Sequence, residues 1–141
     1  MPSSKSVNPP LSAPEVTALG SDATVGVLGA GAMGSGIAQV AAAAGHQVMV
    51  TDARAEALEE ARARLEKLLD REVEKGRLGR EAAVKLQESI TWAPGAAGEY
   101  ALFKHCDLVI EAIAEDARVK REAFRGLEAV VRPGCILASN T

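Results

Sequence analysis

Residues 25–36 read VGVLGAGAMGSG, a short apolar run that breaks into GxGxxG and passes directly into the helix-forming stretch IAQVAAAA. Glycine triplets alone are common in unrelated loops, so the flanks carry the weight. Val25, Val27 and Leu28 give a buried-strand pattern, and Gly34 to Ala44 supply small and apolar residues without a breaker. This is the strand, turn and helix context in which such a motif cradles a phosphate. Each glycine then has a physical role. Gly29 allows the tight turn, Gly31 the close backbone approach of a pyrophosphate, and Gly34 the close packing of helix on strand. The intervening Ala30, Ala32 and Met33 belong to the same cradle, and the helix start offers N–H groups and the positive end of its dipole.

A second element narrows the reading. HQVMVTD runs apolar from Val48 to Val50 and ends on Asp52, 23 positions after Gly29. A carboxylate at about 20 residues' distance is the expected partner of a ribose 2′-hydroxyl. It would repel a 2′-phosphate, so NAD is the expected cofactor rather than NADP. Arg54 is read as a solvated residue at a helix start.

The 141 residues suit one domain, and 48% hydrophobic content supports a real core. Only 3% of residues are aromatic, so alanine, valine and leucine must fill the interior. That suits helices packed closely on a buried parallel sheet. A net charge of −3 without a basic patch argues against nucleic acid as a partner, and no apolar run is long enough to span a bilayer. Cys106 and Cys135 have neither metal-ligand nor CxxC spacing and read as reduced, buried thiols of a cytoplasmic protein; no metal site is expected. Residues 1–22, rich in Ser and Pro with one basic side chain, read as a disordered tail rather than a signal or transit peptide.

Beyond Asp52, Leu58, Ala61, Leu65, Leu68 and Leu69 form an apolar stripe that Gly76 ends, with charges elsewhere and local support from pairs such as Glu60 with Arg64. A second helix over 80–87 makes a hairpin with the first. Strands are expected at Ser89 to Trp92, Leu108 to Ile113 (apolar but for Glu111) and Cys135 to Ser139, with a short helix near Tyr100 to Lys104. Val119, Ala123, Leu127 and Val130 mark an amphipathic helix that stops at Arg132-Pro133-Gly134. The resulting order, βαβ(αα)βαβαβ, predicts an α/β fold: a Rossmann-type, right-handed doubly wound parallel sheet with a helical-hairpin insertion after the second strand, truncated after the fifth.

Ligands of such sheets bind beyond the carboxyl ends of the strands. Those positions are Gly29 to Gly34, Asp52, Ala114 to Asp116, and Asn140 with Thr141. His46 and His105 precede strands at the opposite edge and read as structural or surface residues. The sequence therefore offers no catalytic residue for acid–base work on an alcohol.

The segments VGVLGAGAMGSGIAQVAAAAGHQV, EAIAEDARVKREAF and ILASNT together resemble the NAD-binding domain of 3-hydroxyacyl-CoA dehydrogenases over about residues 24–141. The resemblance implies that Gly29 to Gly34 hold the pyrophosphate and Asp52 the adenosine ribose. It also implies cofactor contacts at Glu115, Lys120 and Asn140, the last beside the nicotinamide. It assigns the helical pair at 55–88 to a surface for an acyl-CoA substrate, with Lys75 directed to CoA; a surface charge is the alternative for that lysine. In the family the catalytic His, its Glu partner and an all-helical dimerising domain follow SNT. The expectation is thus residues 23–141 as an incomplete NAD-binding domain, inactive alone, of a homodimeric enzyme oxidising 3-hydroxyacyl-CoA to 3-oxoacyl-CoA. VEKGRL further resembles relatives in phenylacetate degradation acting on 3-hydroxyadipyl-CoA; those acting on 3-hydroxybutyryl-CoA are similar too. Two other readings stay open: a non-catalytic structural module of the same family, as in lens crystallins that resemble it, and a relative of the 3-hydroxyisobutyrate dehydrogenases. The latter share GxGxMG and GHxV but fit Asp52, the helical insertion and the SNT ending poorly.

Overall fold

Alternation along the strands decides the layering. In β1 (Thr24–Leu28), Val25 and Val27 face one side while Gly26 and Leu28 face the other. In β2 (Gln47–Asp52), Val48 and Val50 join the first side and Met49 the second. Two cores result. The computed structural model describes residues 20, 22–95, 100–113 and 116–139; most of the expected N-terminal tail, with Glu115 and Asn140, lies outside the described residues.

The first core is covered by α1 (Ala32–Ala43), α2 (Ala55–Glu74) and α3 (Arg80–Glu88), which contribute Ala38, Ala42, Leu58, Ala61, Leu65, Leu69 and Ala83. The second lies under a 3-10 turn (Ala101–Phe103) and α4 (Ala117–Val130), with Phe103, Cys106, Ala123 and Leu127 fully or nearly fully buried. Small residues on α1 let that helix lie close to the sheet, which answers the shortage of aromatics. Gly76, at φ +74°, ends α2 where the sequence placed the stop.

The sheet is wholly parallel in the order β3-β2-β1-β4-β5, with β3 at Ile90–Pro94, β4 at Leu108–Glu111 and β5 at Ile136–Ser139. The order reverses between β1 and β4, so the crevice of this doubly wound fold opens at their carboxyl ends. Opposite it, the Asp107 carboxylate accepts the Thr24 N–H at 2.8 Å and pairs with Arg132, knitting the amino ends of β1, β4 and β5.

Several local expectations are corrected. Leu68 is 37% exposed, because the buried face of α2 is carried by Ala57, Leu58, Ala61, Leu65 and Leu69, and Leu68 lies at its margin. Val119 is 41% exposed, and the buried face of α4 is carried by Ala123 and Leu127. β3 continues to Pro94, paired with Asp52; an edge strand tolerates a residue that cannot donate to the ladder. β4 ends at Glu111 rather than Ile113. Cys135 is only partly buried. Arg64 directs Nη2 to Ser35 Oγ at 3.4 Å, and the ion pairs of the hairpin are Arg77–Glu72 and Arg80–Asp70.

Candidate functional site

The glycine turn is held from both neighbouring strands. Gly29 N–H donates to Thr51 O at 2.8 Å, and Ala112 N–H donates to Leu28 O at 2.8 Å. Gly29 sits at φ +111°, and a Cβ there would lie 2.7 Å from Ala112 O, so no other residue fits. At Gly34 a Cβ would fall 1.8 Å from Gly29 O: α1 presses its backbone onto the turn. Gly31 is different, because a Cβ there would meet nothing within 4 Å and its backbone faces open space. The two constrained glycines shape the turn, and the middle one leaves room above it.

The helix that follows starts without a side-chain cap and without an acidic residue in its first turn. By contrast α4 is capped by Asp116, which accepts from Arg118 N at 2.9 Å and Val119 N at 3.3 Å, and α2 and α3 carry Glu56 and Glu81 in their first turns. Ala32 and Met33 are exposed at the start of α1, and Ala30 is buried beneath them. The positive end of this helix is left for an anion.

Asp52 closes the other side of the cradle. Its Oδ2 accepts the Ala30 N–H at 2.8 Å and its Oδ1 accepts the Arg54 N–H at 2.8 Å. Each oxygen keeps a further lone pair for a hydroxyl donor. The structure therefore brings Gly29, Ala30, Gly31, Ala32, Met33, Gly34 and Asp52 into one crevice.

Lys120 enters from the β4 side, its side chain 14% exposed and its Nζ 3.4 Å from Glu111 Oε1. Lys75 does not join the cluster. It is the exposed residue after α2, a helix about 30 Å long that starts beside Asp52 and carries its far end away. His46 bonds through Nδ1 to Ala23 O at 2.9 Å at the amino edge of the sheet, and His105 is an exposed turn residue. Both lie where the sequence placed them.

Glu111 and Ser139 were not singled out by sequence, yet they sit at the carboxyl ends of β4 and β5 in one polar cluster with Lys120, in which Glu111 is buried and Ser139 lies at the surface. The signal was present: a carboxylate interrupting a strand otherwise read as buried. Among the described residues no group of His, Cys, Asp and Glu could hold a metal, and no helix is long and apolar enough to cross a membrane.

A turn pressed between two parallel strands, an uncapped helix start above it and a carboxylate at the end of the adjacent strand define the dinucleotide-binding class of α/β domains. Residues 24–141 match the family described as 3-hydroxyacyl-CoA dehydrogenase, NAD binding domain, and the chain belongs to that family. A 3-hydroxybutyryl-CoA dehydrogenase of Bradyrhizobium diazoefficiens is 43% identical over 117 residues, covering 83% of this chain and 39% of the relative. The crystal structure of (S)-3-hydroxybutyryl-CoA dehydrogenase from Ralstonia eutropha superposes with a TM-score of 0.78 at 32% identity, covering 85% of this chain and 41% of that one. That of 3-hydroxybutyryl-CoA dehydrogenase from Escherichia coli gives 0.78 at 38% identity, over 85% and 25% of the two chains. The chain spans about two fifths of the length of the Bradyrhizobium relative.

Proposed function

We propose that this chain is the NAD-binding portion of an enzyme that oxidises a short-chain 3-hydroxyacyl-CoA to the 3-oxoacyl-CoA. The observation that carries the reading is the placement of Asp52 against Ala30: the carboxylate that anchors the glycine turn keeps lone pairs for the hydroxyls of a ribose. A 2′-phosphate would meet that carboxylate, which supports NAD over NADP. The open space at Gly31 and the uncapped start of α1 suit a pyrophosphate.

The bound cofactor supplies hydride acceptance. The chain's own residues bind and orient: Gly29 to Gly34 cradle the pyrophosphate, Asp52 holds the adenosine ribose, and Glu115, Lys120 and Asn140 contact the cofactor on the β4 and β5 side. Proton transfer from the substrate hydroxyl belongs to residues outside this stretch, a reading supported by His46 and His105 standing away from the carboxyl edge. Without them the stretch is inactive alone. The hairpin of α2 and α3, with Lys75 at its exposed end, contributes to the CoA surface. The names of the Bradyrhizobium, Ralstonia and Escherichia relatives favour a four-carbon acyl group over 3-hydroxyadipyl-CoA. The chain is read as part of a cytoplasmic protein, in keeping with thiols kept reduced, and the family resemblance suggests a homodimer.

Calorimetric titration tests the cofactor half. NADH is expected to bind at least about tenfold more tightly than NADPH, the effect of one unfavourable charge contact. Equal or tighter NADPH binding overturns the assignment of Asp52. Acetoacetyl-CoA and 3-oxoadipyl-CoA, titrated in turn, test the acyl preference.

A further inference from the structure

Glu111 is wholly buried at the last position of β4, in register with Leu28 of β1 on one side and Ser139 of β5 on the other. Its Oε2 accepts the Ile113 N–H at 2.7 Å. Its Oε1 accepts the Ser139 hydroxyl at 2.6 Å and faces Lys120 Nζ at 3.4 Å. One carboxylate thus ties three segments: the chain leaving β4, the end of β5 and the first turns of α4.

Core packing does not account for this group. A carboxylate removed from water is unfavourable unless paired, and an apolar side chain of similar volume fills such a site at least as well. What the carboxylate provides is direction. It fixes the peptide of Ile113, and the neighbouring Ala112 carbonyl is the atom that a Cβ at Gly29 would strike at 2.7 Å. The chain leaving β4 is therefore directed by Glu111, while the glycine turn itself is anchored separately, by Thr51 O and the Asp52 carboxylate.

We propose that Glu111 is a positioning residue for the nicotinamide half of the bound cofactor. The proposal rests on the dinucleotide reading above. With the adenosine ribose at Asp52 on β2 and the pyrophosphate at the turn after β1, the sheet order leaves the second half of the ligand to β4 and β5. Glu111 holds Ile113, just beyond β4, and Ser139, the last residue of β5, and keeps the Lys120 cation against its own carboxylate. It does not touch the cofactor; it sets the surface that does.

The test compares two ligands on the full chain, NADH and ADP-ribose, which lacks the nicotinamide. Glu111→Gln keeps the shape of the side chain and removes its charge. It is expected to weaken NADH binding about tenfold while ADP-ribose affinity stays within about twofold of the unaltered chain. Ser139→Ala removes one tie without stranding a buried charge and is expected to show the same selectivity at about threefold; it decides the matter if Glu111→Gln does not fold. Equal weakening of both ligands overturns the proposal, because it signals general loss of structure. Unchanged NADH affinity overturns it as well. Failure of the unaltered chain to bind either ligand overturns the dinucleotide reading itself, and the proposal with it.

Discussion

The Ala30 N–H donates to Asp52 Oδ2 at 2.8 Å, so the carboxylate assigned to a ribose is also a structural clamp on the glycine turn. The two roles are separable by charge. Asp52→Asn retains an acceptor for the turn but weakens a charge-assisted contact, and NADH affinity is expected to fall about ten- to a hundredfold. NADPH affinity should fall less or rise, because the repulsion of a 2′-phosphate is gone. Calorimetry with both nucleotides reads the ratio; an unchanged preference would remove charge as the source of selectivity.

Gly34 and Gly36 both lie in α1, yet their surroundings differ sharply. A methyl group at Gly34 would collide with the Gly29 carbonyl, a backbone atom that cannot swing away, whereas a methyl at Gly36 would meet nothing within 4 Å. Gly34→Ala is expected to destabilise by about 1–3 kcal/mol or more and to abolish NADH binding. Gly36→Ala, in the interior of α1, should stabilise by about 0.5–1 kcal/mol. Thermal melting of both variants checks the sign of each.

Phe103 lies over the face of Gly26, where a Cβ would stand 2.6 Å from the ring. The ring is fully buried and its loss to alanine is expected to cost about 3–5 kcal/mol. Gly26→Ala should be destabilising with Phe103 in place and distinctly less so in a Phe103→Leu background, a non-additivity expected of residues in contact. Denaturant unfolding of the four proteins in the cycle measures it, and additive effects would mean that the ring is free to move aside.

Burial pushes the Cys106 thiol up from its ordinary value of 9.0 to about 12, with nearby Cys135 adding to the rise and Arg132 opposing it. Burial raises Cys135 as well. The folded state favours the protonated thiol, so this stabilisation is complete below pH 9.0 and is lost as pH climbs towards about 12. Unfolding free energy is therefore expected to decline through that window, with a shallower decline in Cys106→Ala. At about pH 8, below the ordinary thiol range, an alkylating reagent should modify the partly buried Cys135 well before the buried Cys106; the reverse order would contradict the burial argument.

The strand, turn and helix of residues 24–43, the spacing to Asp52 and the helical hairpin were legible because each rests on local chemistry. Glycine placement fixes a turn, small residues allow close helix packing, and period-two and period-3.6 patterns mark strands and helices. Pro94 shows the limit of such rules: the strand expected to end at Trp92 runs on to a proline, which is accommodated because the strand lies at an edge, and edge position is a property of the sheet.

The element order, the glycine turn and the spacing to the Asp52 carboxylate were thus written in the chain alone, since these depend on neighbours along it. The strand order 3-2-1-4-5, which puts the crevice between β1 and β4, came from assembly of the sheet. Packing selected which apolar residues of α2 and α4 reach the core, leaving Leu68 and Val119 outside. It also joined Glu111 to Ser139, 28 positions away, across two adjacent strands. A buried carboxylate is tolerable only with partners that the fold delivers, and those partners come from separate elements.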